Sequence, residues 1–373
     1  VAAAEQSYRM LACSPKAARK RAATVHPDAP THLISHSEAA SSSAAGNLQS
    51  RIAASGGLEH RLRIALWPAL LNLAPWPKDY ISLSTAISSA DHDAIYAENA
   101  AKVETVDAGM QRTISADVPR TDGNFTQSQC DALRDLLLAH CVLEPSWGYF
   151  QGMNDIARVV IAVCESRADE AVPPTPNTPP SIEQSAANGV SSHVSIGTTF
   201  WLLRGVLSHS SQNWAHANLD GVWRQARAVR AVLRVADPKL AKRLEALEVS
   251  KGQGFTESQP LAFLFGPIFL RLKRELASLE ECMRLWEVSW ASGQHFHVLC
   301  VAALVVSQKG AIMQLRGASS AELHQMFGRL HGTKTADDIL SIARSIKAKP
   351  GVDKALEGSM KEVEGLAVSV VPR

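Results

Sequence analysis

Arg120 and Gln151 are the side chains whose types and settings suggest chemistry. Arg120 lies in the segment ISADVPRT (Ile114 to Thr121), and Gln151 in GYFQGMND (Gly148 to Asp155). A guanidinium is always charged and forks onto phosphate oxygens, so it can neutralise charge that develops during phosphoryl transfer. A carboxamide both donates and accepts, so it can orient an attacking water without ionising. Together these are the two tasks a slow GTPase needs done for it. Neither residue says much alone, since an arginine on a loop is commonly just solvated.

Other chemistry is harder to find. There is no G-x-x-x-x-G-K-[ST] phosphate loop and no G-x-G-x-x-G after a strand, so tight nucleotide binding by this chain alone is not expected. His295 and His297 could begin a metal site. Two residues apart on a helix they point to different faces, so core or surface histidines are the plainer reading. No G-x-S-x-G nucleophile elbow occurs.

The 373 residues allow one large domain or two, and a hydrophobic content of 46% allows a sizeable core. A net charge of only +2 gives no global case for nucleic-acid binding. The six cysteines, Cys13, Cys130, Cys141, Cys164, Cys282 and Cys300, show no C-x-x-C spacing. Most sit in apolar helical patterns, which fits a reducing, intracellular protein without disulfides or a zinc site. The longest apolar run, near Val298 to Val306, is too short to span a bilayer.

The elements that must carry Arg120 and Gln151 are helices. Residues 1–57 are rich in Ala and Ser, and AASSSAAG (Ala39 to Gly46) reads as a flexible linker. The chain begins with Val1 rather than Met, which leaves room for an upstream start. SPKAARKRAA (Ser14 to Ala23) is basic and poor in acids, as transit peptides are, although a solvated tail is the simpler reading. It could also graze an anionic membrane or partner. From Leu62 to Leu73 an apolar stripe marks a helix, with Arg63 one turn before Trp67 on the same face. That arginine either reaches a buried carboxylate or lies over the indole at the surface.

Asp91 to Met110 reads as a second helix. Pro119 and the Asp122-Gly123 turn then place Arg120 on an irregular, exposed stretch. Thr126 and Gln129 have capping-box spacing for a helix that Pro145 stops. Gly148 and Gly152 break the chain again before a buried helix from Met153 to Cys164. Gln151 thus sits just before a helix N-terminus, where backbone amides favour anions. The stretch from Ala171 to Thr198, with PPTPNTPP at its head, reads as an insertion or a linker.

Helical patterns then resume. They run through Phe200 to Leu207, Leu219 to Val235 and Leu240 to Val249, then a long apolar helix from Leu261 to Leu276. Arg271, Lys273 and Arg274 would complement the dipole at its C-terminal end. Met283 to Trp290, His295 to Val306, Ala321 to Leu330 and Ala336 to Ile346 follow, and the tail Leu366 to Val371 could pair as a strand. Helix after helix with short loops predicts an all-α fold.

Three short motifs occur in a telling order. R-x-x-x-W is present as Arg63 and Trp67, and I-x-x-D-x-x-R as Ile114, Asp117 and Arg120 followed by Thr121. Y-x-Q-G is present as Tyr149, Gln151 and Gly152, extended by Met153, Asn154 and Asp155. The chain here resembles the TBC domain, the family of GTPase-activating proteins for Rab small GTPases. The likeness runs from about Leu58 to Ile346. FWLLRGVL (Phe200 to Leu207), HFHVLCVAAL (His295 to Leu304) and the RLWE-containing segment (Leu272 to Trp290) are similar to one TBC subgroup. Leu276 departs from the phenylalanine usual there, which touches packing only.

The resemblance implies an all-α fold in two helical lobes, with a groove for the GTPase. It implies that Arg120 enters the nucleotide pocket of a GTP-loaded Rab and stabilises phosphoryl charge, while Gln151 orients the water. Arg63, Trp67, Ile114, Asp117, Thr121, Tyr149 and Gly152 would support these two fingers, Asp117 through local hydrogen bonds. The protein would be an activator acting in trans rather than an enzyme in its own right, with a catalytically silent scaffold as the alternative. It would carry no cofactor, because GTP and magnesium belong to the Rab. A cytoplasmic setting is expected, with peripheral attachment to endomembranes left open and no transmembrane segment. The expected organisation is a flexible segment 1–57, a TBC domain 58–347 interrupted by a disordered insertion near 169–198, and a tail 348–373.

Overall fold

Several helices begin where a polar side chain can hold their orphan amides. Thr126 and Gln129 form the capping box, with Thr126 Oγ1 accepting from Gln129 N at 3.2 Å and Gln129 Oε1 from Thr126 N at 2.9 Å. Ser195, Ser278 and Thr335 cap later helices, each accepting from the amide three residues on, and Thr335 with Asp338 repeats the full box. The resulting architecture is all-α. A computed structural model describes residues 32–34, 45–74, 76, 90–121, 125–165, 194–214, 219–249, 260–315 and 320–361.

Sixteen α-helices lie within these residues. They are α1 (Ala45–Ala54), α2 (His60–Leu70), α3 (Ala90–Ala100), α4 (Ala108–Asp117), α5 (Gln127–Leu143), α6 (Met153–Cys164), α7 (Ile196–His209) and α8 (Asp220–Ala236). Then come α9 (Pro238–Val249), α10 (Phe265–Phe269), α11 (Leu279–Ala291), α12 (Phe296–Ser307), α13 (Lys309–Gln314), α14 (Ser320–Gly328), α15 (Ala336–Lys347) and α16 (Val352–Lys361). One lobe packs α3, α4, α5, α6 and α7 together, and the other packs α8, α9, α10, α12, α13, α15 and α16. Helices α2 and α11 touch each other and α6, and α11 also touches α12 and α15, so this pair joins the lobes. No described helix is long and apolar enough to cross a membrane.

Arg63 resolves in favour of the buried carboxylate. Its side chain is fully buried, with Nε 2.6 Å from Glu287 Oε1 and both terminal nitrogens on Glu280, at 2.5 and 2.6 Å. Glu287 also accepts from Trp67 Nε1 at 3.0 Å and from Leu58 N at 2.8 Å. Burial by itself lowers the guanidinium pKa, but the charges and hydrogen bonds of Glu287 and Glu280 outweigh it and move the pKa up. Trp67 stacks edge-on against Trp290 of α11, ring centres 4.9 Å apart. The R-x-x-x-W spacing is thus the device that fastens α2 to α11.

Several expectations need correction. The helix read from Asp91 to Met110 is two helices, α3 and α4, parted by a 3-10 turn at Val103–Thr105. Asp107 caps α4 by accepting from Met110 N at 3.0 Å, which restarts the helix there. The long helix from Leu261 to Leu276 is instead a 3-10 turn at Ala262–Leu264, the short α10, and an irregular return. Leu261, Arg271 and Leu272 all take positive φ (53°, 51° and 64°), which no continuous helix allows. Leu276 then forms an isolated bridge with Lys334. Arg271, Lys273 and Arg274 therefore close no helix dipole. Arg271 is buried and donates to Ser210 Oγ at 2.9 Å, and the other two pair with Asp155.

The expected boundaries also move. Within the segment 1–57 expected to be flexible, residues 45–54 form α1, and Leu48 and Ile52 are buried where α1 meets α11. Ile34 bridges Leu58. At the other end, α16 buries Val352, Leu356 and Met360 and packs on α8, so residues 352–361 are no tail. Helix α7 starts at Ile196, inside the span read as insertion. The proline-rich stretch, SPKAARKRAA, Cys13 and Leu366 to Val371 lie outside the described residues.

One buried acid makes stability pH-dependent. Glu275 is 3% exposed, its Oε2 has no hydrogen-bond partner among the described residues, and its Oε1 lies 4.0 Å from His331 Nε2. Burial pushes its carboxyl up from 4.5 to about 7. Between those values the unfolded chain releases the proton while the folded chain keeps it. Stability therefore falls as pH rises from 4.5 to about 7 and stays lowered above it. Glu275→Gln should be more stable than the parent at pH 8 by about 3 kcal/mol and close to it at pH 4.5, by urea denaturation at both pH values. Equal stability at pH 8 would refute the assignment.

Candidate functional site: an arginine and a glutamine on one carboxylate

The sequence prepares Asp117 to be the hub. Ile114 is fully buried and pins the last turn of α4, which leaves Asp117 facing inward at the helix end. The chain does not become irregular after it. Val118–Arg120 is a 3-10 turn with Pro119 near its start, which corrects the loop expected there. The turn still presents Arg120 outward, with its side chain 73% exposed.

The second segment arrives from the end of α5. Gly152 takes φ +109°, a conformation that favours glycine, and caps α6. This sharp entry sets Tyr149 inward and Gln151 outward. Gln151 Nε2 donates to Asp117 Oδ1 at 3.1 Å. Arg120 Nη1 lies 3.9 Å from the same oxygen. The two residues that were 31 positions apart in sequence thus share one carboxylate oxygen. The Tyr149 hydroxyl is 3.0 Å from Asp117 Oδ2 and 3.0 Å from Asn154 Oδ1, so its single proton serves one of them at a time. Asn154 Oδ1 also accepts from Gly152 N at 3.0 Å, and Asn154 Nδ2 donates to Thr121 Oγ1 at 2.8 Å. Thr121 in turn donates to the Asp117 carbonyl at 3.2 Å.

Electrostatics separate the roles. Burial raises the Asp117 carboxyl above its ordinary range, against the hydrogen bond from Tyr149 and the charge of Arg120. The hydrogen bonds from Tyr149 and Gln151 hold Asp117 in place as an acceptor. Arg120 gains little from its contact with Asp117, because the two lie 3.9 Å apart and the arginine side chain itself stays in water. Its guanidinium keeps its reach. An open cleft of about 360 Å³ lies beside it, lined by Asp117, Arg120 and Gln151 together with Gly109, Arg112, Thr113 and Ala116 of α4.

Asn154 and Asp155 were quoted in the motif, but their roles were not read from it. Asn154 links both segments, as above. Asp155 is buried and ion-paired to Lys273 at 2.6 Å and Arg274 at 2.7 Å. Burial alone raises its carboxyl, yet those two cations bring it below the ordinary range. Polar residues in the first turn of a strongly apolar helix were the available signal. Arg63 and Trp67 stand apart from the cleft and hold the α2–α11 junction. His297 is buried with Nε2 3.4 Å from the Ile268 carbonyl, and no group of three or more potential metal ligands occurs among the described residues.

Comparison with known proteins shows the family and the fold. The family model of the Rab-GTPase-TBC domain matches residues 60–313, so the chain belongs to the RabGAP-TBC family. It is 24% identical over 272 residues to human TBC1 domain family member 17, covering 71% of this chain and 36% of that protein. It is 21% identical over 316 residues to the GTPase-activating protein gyp7 of Schizosaccharomyces pombe, covering 77% of this chain and 37% of that one. The chain thus spans little more than a third of the length of these curated relatives. The fold is similar to the crystal structure of the Ypt/Rab-GAP domain of Gyp1p, with a TM-score of 0.60 at 16% identity, covering 82% of this chain and 92% of that one.

Proposed function

We propose that this chain is a GTPase-activating domain for a Rab small GTPase, and that it works with two fingers. Arg120 enters the nucleotide pocket of the GTP-loaded partner and stabilises charge on the transferring phosphoryl group. Gln151 orients the attacking water. The partner brings GTP and magnesium, and this chain brings no cofactor. The observation that carries the proposal is the meeting of Arg120 and Gln151 on Asp117 Oδ1, at the edge of an open cleft. Membership of the RabGAP-TBC family supports the class of partner. We place the protein in the cytoplasm, peripheral to endomembranes where its partner works. We take residues 34–361 as the unit that carries the function, because both outer segments pack into it.

The test is single-turnover GTP hydrolysis by a panel of GTP-loaded Rabs, with and without the purified chain. Acceleration of at least one Rab is expected. Binding to a Rab with no change in rate would favour a silent scaffold. Phosphate release from GTP with no GTPase present would point to an independent helical enzyme.

A further inference from the structure

Half of the cleft is used by no motif. Gly109, Arg112, Thr113 and Ala116 follow one face of α4 at helical spacing and line the same cleft as Arg120 and Gln151. Arg112 is exposed and makes no hydrogen bond or ion pair among the described residues. Its Nη2 lies 3.7 Å from where a Cβ on Gly109 would sit, so the guanidinium leans back along the helix, as helical side chains do. The nearby Asp107 is engaged in capping Met110 N.

Arg120 also leans back, toward Asp117 one turn earlier. The two guanidiniums are therefore offset by about eight residues of helical rise, roughly 12 Å. That is too far for both to grip one phosphoryl group. The small side chains of Gly109, Thr113 and Ala116 keep the floor between them low, so a partner segment can approach the helix closely.

We propose that Arg112 is a docking residue that pairs with a surface carboxylate of the GTPase while Arg120 occupies the nucleotide pocket. This rests on the reading of the chain as a GTPase activator. A guanidinium matches a carboxylate in a two-pronged fork, and a second cation beside the pocket steers an acidic surface into register. Arg112 sets affinity and choice of partner rather than the chemical step.

The experiment uses a Rab that the unmodified chain accelerates. Arg112→Ala should raise KM about threefold, and Arg112→Glu about tenfold or more, with the saturating rate within about twofold of the parent. The dependence of kcat/KM on salt should flatten in both variants. Replacing one acidic residue beside the Rab nucleotide pocket with lysine should restore Arg112→Glu and impair the parent. Circular dichroism and melting of each variant confirm that it is folded. An unchanged KM for Arg112→Glu overturns the inference and leaves the activator reading intact. A fall in saturating rate at constant KM also overturns it, placing Arg112 on the nucleotide instead. If the unmodified chain neither binds nor accelerates any Rab, the activator reading fails and the inference falls with it.

Discussion

Arg120→Ala is expected to lower the stimulated GTP hydrolysis rate by at least about 10³-fold, the lower end of what an arginine finger contributes. Arg120→Lys should recover little, because an ammonium keeps the charge but loses the planar fork. Gln151→Ala removes the group proposed to position water and should cost about 10²-fold or more. Both side chains are exposed, so neither change should shift the melting temperature appreciably. Single-turnover hydrolysis with a responsive Rab reads the rates, and a thermal melt reads the fold. Parent-like rates in both variants would end the two-finger mechanism. A loss in Arg120→Ala alone would retain the arginine and reassign Gln151 to holding the Asp117 end of the cleft.

The largest stability effect is expected at Arg63. Arg63→Ala leaves Glu287 fully buried with its cation gone, and Glu280 without its bidentate partner. Breaking a buried pair in this way costs about 3–5 kcal/mol. Adding Glu287→Leu should recover part of that loss, since the stranded charge is removed. Recovery stays incomplete because Trp67 Nε1 and Leu58 N lose their acceptor as well. Urea denaturation of the two single variants and the double variant measures the coupling. A cost below about 1 kcal/mol for Arg63→Ala would mean the pair contributes little.

Much of this was legible because it is local. The capping box at Thr126 and the glycine turn at Gly152 are written in adjacent residues, and both formed as read. The meeting of Arg120 and Gln151 was legible only through motif resemblance. Nothing in periodicity says that α4 and the start of α6 converge on Asp117, which takes tertiary packing to achieve. The break after Phe269 was missed because a continuous run of apolar residues reads as helix whether or not the backbone continues. Its real cause is the left-handed pair Arg271 and Leu272, which turns Lys273 and Arg274 toward Asp155. Helices α1 and α16 were missed for a related reason. Alanine- and serine-rich or charged ends look unstructured until a partner surface is supplied, here α11 and α8.

The junction between α2 and α11 also sets a timetable. Leu58 and Arg63 reach Glu287, which lies 229 and 224 positions later, and the Gly56 carbonyl accepts from Arg284, 228 positions later. On the ribosome α2 therefore emerges long before the acid that receives its arginine. At ordinary rates of synthesis that wait is on the order of ten seconds or more. Through it, Trp67 and the apolar stripe of α2 lack their final cover. Contacts this distant in sequence close slowly. Newly made chains should thus depend on chaperones until α11 is complete, and pulse-chase proteolysis of chains stalled before and after Ala291 would show protection of α2 only in the longer ones.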